Sequence, residues 1–196
     1  MLERIIGVFK LDVATFEAVE ADESATVQAA IIVAIVGLFA AIGAFVAAQS
    51  ANAFMDAFAG LSEVEIPFDT LPQISPIGAA LQALVVAFVA WLVWSALTFF
   101  IGKTLFQADT NMGEMLRVIG FAQAPRLLAI LNFIPCLGPV IGLVSWVWAV
   151  VASFIGIRQG LDLDNGKTLV VVILSFIGVL IVNWILGTIF ALIFVF

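Results

Sequence analysis

Residues 168–196 read TLVVVILSFIGVLIVNWILGTIFALIFVF, an unbroken run without a charged side chain. A bilayer core of about 30 Å needs about 20 apolar residues at 1.5 Å each. The run exceeds that length, and Asp164-Asn165-Gly166 ahead of it reads as a turn. In lipid a segment must close its own backbone hydrogen bonds, so this run predicts a transmembrane helix.

Working outward, four further stretches meet the same test: 25–48, 77–101, 116–134 and 139–157, with the fifth placed at 168–195. Ser75-Pro76 ahead of the second fits an N-cap followed by proline at the first helical position. Asn111 and Glu114 have capping-box spacing before the third. Pro135-Cys136-Leu137-Gly138-Pro139 forces a tight reversal between the third and fourth. The expected fold is all-α: one polytopic domain over 25–196, a five-helix transmembrane bundle preceded by short N-terminal interfacial helices in 1–24.

Composition agrees. Apolar residues make up 64% of the chain and charged residues 11%, with a mean hydropathy of +1.26. A soluble domain runs nearer 45–50% and about 25%, so the first expected partner is the lipid bilayer. The net charge of −7 comes from acids gathered between Asp12 and Glu23 and between Asp56 and Asp69. Without a basic patch, nucleic acid is excluded as a partner. The lone cysteine, Cys136, allows no intrachain disulfide. Residues 1–24 lack the apolar core of a signal peptide.

Lysine and arginine set the orientation. Arg4, Lys10, Lys103, Arg117, Arg158 and Lys167 all fall on one side of five spans, while the loop 49–75 on the other carries Asp56, Glu63, Glu65 and Asp69. The N-terminus is therefore expected in the cytoplasm and the C-terminus outside.

Two short helical patterns fill 1–24. Leu2, Ile5, Ile6 and Phe9 share a face of the first; Asp12 caps a second that aligns Val13, Phe16 and Val19. Such segments lie in a membrane interface. They serve either as an anchor packed under the bundle or as a docking surface, with Phe9 and Phe16 as its candidate face.

One position inside the spans could carry chemistry. Arg126 stands mid-way along 116–134, directly after Pro125 and three residues after Gln123. A charge at that depth is costly and turns to the protein interior or to water. No carboxylate lies in any span, so its partners come from carbonyls freed by the proline, Gln123, Asn132 or Asn183. Three readings stand: an anion or headgroup site, an arginine satisfied by the kink, or a span that starts later and leaves Arg126 at the interface. Gly138/Gly142 and Gly156/Gly160 repeat at four, a pattern of close helix packing or of a homodimer face. Trp146, Trp148 and Trp184 fall mid-span and are expected at helix contacts. Histidine is absent, and no glycine-rich phosphate loop occurs. Catalysis, metals and cofactors are not expected.

The run Gly120-Phe-Ala-Gln-Ala-Pro125-Arg-Leu-Leu, the Pro135–Pro139 hairpin, Trp146-Val-Trp-Ala, Gly156-Ile-Arg-Gln-Gly160-Leu and Lys167-Thr-Leu-Val-Val resemble the Yip1 domain family, in its prokaryotic form. The resemblance implies a five-span bundle with a cytoplasmic N-terminus. The membrane would be the plasma membrane in a prokaryote and the ER or Golgi in a eukaryote, where relatives are linked to Rab GTPases and vesicle traffic. The Asp-Leu-Tyr-Gly-Pro motif of that branch is missing, as is any tyrosine. Two functions follow. The first is a non-enzymatic membrane organiser or adaptor, linked to trafficking or shaping, whose partners are other membrane proteins or copies of itself. The second is a channel or carrier for a small solute, anion or lipid, using Gln123, Pro125, Arg126, Asn132 and Asn183.

Overall fold

The computed structural model describes residues 1–61, 73–133 and 137–194, and among these it is helical with no strand. Its elements are α1 (Leu2–Phe9), α2 (Val13–Ala21), α3 (Ala25–Leu61), α4 (Pro76–Phe106), α5 (Met112–Ala122), a 3₁₀ segment (Ala124–Phe133), α6 (Gly138–Gly160) and α7 (Asn165–Phe194). Expected caps form. Asp12 accepts from the Thr15 amide at 3.2 Å and Ser75 from the Gly78 amide at 3.1 Å. Asn111 and Glu114 close a reciprocal box: Glu114 N–H donates to Asn111 Oδ1, and Asn111 N–H to Glu114 Oε2.

Four helices, α3, α4, α6 and α7, are long and apolar enough to cross a membrane. The expected third span, 116–134, is a correction: it is not one helix. Proline at 125 has no N–H to give the preceding turn and its ring crowds that turn's carbonyl, so α5 stops at Ala122 and the chain tightens into 3₁₀ geometry. The two pieces still run as one passage. The 11 residues of α5 rise about 16 Å. The 10 of the 3₁₀ segment add about 20 Å. Together they match the 23-residue α6, about 34 Å long, which lies antiparallel to them.

Glycine on α6 makes that pairing close. A Cβ on Gly156 would come within 2.6 Å of Val118, one on Gly160 within 2.3 Å of Met115, and one on Gly138 within 2.3 Å of the Asn132 carbonyl. The expected small-residue stripe thus faces the broken passage, inside the fold. α5 is the hub, touching α1, α2, α3, α4 and α6, while α3 pairs with α4 and α4 with α7. Trp91 ties α4 to α5 by donating its indole N–H to the Leu116 carbonyl at 3.0 Å.

The tightest core (Phe16, Val19, Ala29, Ile32, Met115, Val118, Ile119, Ile157, Leu161) gathers where α3, α5 and α7 start and α4 and α6 finish. Arg4, Lys103, Arg117, Arg158 and Lys167 stand at this end. Two further corrections concern the other end and the surface. α3 continues through 49–61, expected as loop, because nothing there breaks a helix; hydropathy marks where lipid stops, not where the helix does. Asn52 then clasps Ile74 through both its amide groups, at 2.8 and 3.1 Å. Trp184, expected at a helix contact, is 74% exposed. Glu63, Glu65, Asp69, Pro135 and Cys136 lie outside the described residues.

Gly156→Ala should lower stability by about 1–3 kcal/mol through overpacking against Val118 and Phe16. Gly43→Ala, where an added Cβ meets nothing within 4 Å, should be neutral or stabilising by up to about 1 kcal/mol. Unfolding of both variants in detergent micelles checks the contrast.

Candidate functional site

Breaking α5 at Ala122 leaves α6 and α4 apart at mid-height, and a chamber of about 390 Å³ opens between them. Its walls come from α3 (Val33, Val36, Ala40), the middle of α4, α6 and α7. Trp91, Trp94 and Trp146 supply broad apolar faces; Gln123, Arg126, Ser153 and Asn183 supply the polar groups.

Of the expected cluster, the fold brings Gln123, Arg126 and Asn183 to this one chamber. Pro125 is buried behind them and creates the break. Asn132 is elsewhere, seated against Gly138 and Gly142 at the turn into α6. Arg126 is itself exposed: its side chain stands in the chamber wall and opens to the chamber. Nη1 donates to Gln123 Oε1 at 3.2 Å, and no carboxylate reaches Arg126 among the described residues. Its backbone N–H is satisfied by the Gln123 carbonyl at 2.9 Å. Two further chamber residues carry buried polar atoms without a hydrogen-bond partner, Trp94 Nε1 and Asn183 Oδ1. A guanidinium, an indole donor and an amide oxygen thus surround one space with unmet hydrogen-bonding capacity. Sequence reading found the arginine and the amides. Trp94 and Ser153 carried no signal of their own, since only the helix packing selects which of many span residues face the chamber.

The second candidate, the N-terminal pair, forms a helical hairpin folded onto the bundle. Gly7 lets α1 and α2 cross closely, since a Cβ there would lie 2.0 Å from Thr15 Oγ1. Phe16 is completely buried against Gly156, and Phe9 is half-buried with its carbonyl accepting the Trp148 indole N–H at 3.0 Å. The pair therefore runs along α6, with its turn at the middle of that helix, rather than across the end of the bundle. The expected docking face points inward; the apolar side chains left outside are Met1, Leu2 and Ile6.

Charge fixes the hairpin's base. Arg117, buried on α5, donates Nε and Nη2 to the Glu20 carbonyl at the end of α2, where a cation also meets the negative end of the helix dipole. Arg4 pairs with Asp22 at 2.6 Å, and hydrogen bonds from Ser24 and Arg4 hold that carboxyl down to about 2. The Glu20 carboxyl is pushed up to about 7 by its partial burial and by the charges of Glu114 and Asp162, against the smaller opposing pull of Arg117.

Comparison with known proteins gives one match. A family model described as the Yip1 domain covers residues 6–193, nearly the whole chain. No curated protein and no solved structure matches it.

Because the folded state raises the Glu20 pKa from 4.5 to about 7, its contribution is fully favourable below the unfolded value and is lost as pH climbs through the folded one. The bundle should unfold at lower temperature at pH 8 than at pH 5, and Glu20→Gln should flatten that difference. Melting curves across this pH range provide the test.

Proposed function

The chain belongs to the Yip1 domain family, and on that premise we propose that it is a non-enzymatic organiser or adaptor of the membrane it occupies. The observation that carries this reading is the α1–α2 hairpin. It is locked to the bundle by Arg117, Phe16 and Trp148 and closed on itself by the Arg4–Asp22 pair, yet leaves Leu2 70% exposed and Ile6 44% exposed on its outer side. A rigidly mounted apolar edge suits a neighbouring membrane protein or a second copy better than free solvent does.

In the membrane the passage formed by α5 and the 3₁₀ segment serves as a fifth crossing. Irregular backbone is tolerated at that depth where protein or a polar cavity surrounds it, and α1, α3, α6 and the chamber do so. With five crossings the basic end lies in the cytoplasm and the C-terminus outside. A second reading, a carrier or channel, draws on the chamber with its unneutralised arginine.

Leu2→Glu with Ile6→Glu should leave the bundle folded and remove cross-linked partners from the hairpin; unchanged cross-linking and localisation would refute the adaptor role. Cysteines placed at Glu3 and Leu192, with Cys136 replaced by serine, should label from opposite faces of sealed vesicles. Labelling from one face would reduce the crossings to an even number. Solute or lipid flux through reconstituted liposomes that falls with Arg126→Ala would favour the carrier.

A further inference from the structure

We propose that the mid-bundle chamber is a binding site for a single-chain anionic amphiphile, with its phosphate or carboxylate on the Arg126 guanidinium and its chain along the tryptophan and alanine walls. The inference goes beyond the adaptor role and stands whether or not the ligand moves onward.

The charge comes first. A guanidinium offers five N–H donors, and among the described residues the only side chain bonded to this one is the neutral amide of Gln123. In a low-dielectric interior a cation without a counter-charge is costly, whereas an oxyanion forms charge-assisted bonds with it, bidentate where geometry allows. The buried, unpartnered Trp94 indole N–H and the Asn183 Nδ2 amide stand in the same walls and can donate to the remaining oxygens of a headgroup, while the unpartnered Asn183 Oδ1 can accept from a headgroup hydroxyl.

Size and access select the rest of the ligand. At about 30 Å³ per water-sized group, 390 Å³ accommodates about a dozen such groups. That holds a small head with about ten carbons of one acyl chain, the rest of which extends out of the chamber, and is too little for a two-chain lipid. Apart from Gln123, Arg126, Ser153 and Asn183 the lining is aliphatic and aromatic, which a free inorganic ion would leave unused. Entry from the bilayer is offered beside Trp146, a chamber-wall residue that is 50% exposed, where α7 packs mainly on α4 and less on α6.

The test uses the full chain purified in an uncharged detergent, with melting temperature followed against increasing oleate, monooleoyl lysophosphatidate, glycerol monooleate or inorganic phosphate. Both anionic amphiphiles should raise the melting temperature in a saturable way, above the effect of the uncharged monooleate and of phosphate. Whichever of the two saturates lower identifies the head. Arg126→Gln should weaken apparent affinity roughly tenfold or more, the scale of one charge-assisted hydrogen bond, and Arg126→Lys should recover part of it. Should Arg126→Gln fail to fold, Asn183→Leu, which keeps the side-chain size and suits lipid, should lower affinity by itself. An equal response to glycerol monooleate, a response to phosphate matching the amphiphiles, or wild-type affinity in both Arg126→Gln and Asn183→Leu would overturn the proposal.

Discussion

Every backbone N–H and C=O at membrane depth needs a partner inside the protein, and the organisation of this bundle follows from the one place where an α-helix stops supplying them. Pro125 ends α5 and hands the chain to 3₁₀ geometry for the ten residues Ala124–Phe133. Such a run is longer than 3₁₀ helices usually sustain, so it depends on its surroundings. α6 lies along it, brought close by the absent side chains of Gly138 and Gly142, and α3 and α1 flank it. α1 of the N-terminal hairpin is therefore part of that cover.

The same break accounts for the chamber. A continuous α-helix through 116–134 would carry its side chains up the bundle axis at a regular spacing and fill the gap between α4 and α6. The 3₁₀ segment instead packs toward α6, and the large rings of Trp91, Trp94 and Trp146 line the vacated volume without closing it. Arg126 follows the proline by one residue, so the feature that opens the space also places a cation in its wall.

Most of the architecture was legible because it rests on local rules. Capping by Asp12, Ser75 and the Asn111–Glu114 pair, and the span cores themselves, follow from hydrogen-bond chemistry and apolar run length, which need no knowledge of neighbours. The misses share a cause: they depend on what lies across the packing surface. Hydropathy alone does not distinguish a kinked helix from an α-helix that ends at Pro125. It gives no reason for α3 to stop at the lipid boundary, and it does not say whether Phe16 or Ile6 turns inward. In the hairpin the answer hung on Gly156, about 140 residues away, which opens a slot that Phe16 fills beside Val118. For the chamber, Arg126, Gln123 and Asn183 could be named as polar groups in apolar spans, but that Asn132 stays out and Trp94 joins is a matter of helix rotation.

The basic end illustrates how a topology signal and a structural device coincide. The rule that orients membrane proteins counts lysine and arginine without regard to acids, and five of the six basic side chains so counted, all but Lys10 at the hairpin turn, do mark this end. Yet the segments 1–24, 103–117 and 158–167 carry ten acidic side chains beside those six. Several of the cations are committed: Arg4 to Asp22, Lys167 to Asp164, and Arg117 to the Glu20 carbonyl. The surface at this end is thus net negative and repels anionic headgroups. Arg126, which no carboxylate reaches among the described residues, stands at mid-height in the chamber wall. An anionic amphiphile approaching this protein meets repulsion along the axis at the basic end and attraction only from the side. The exposed chamber wall at Trp146 is for that reason the route by which such a ligand would reach Arg126.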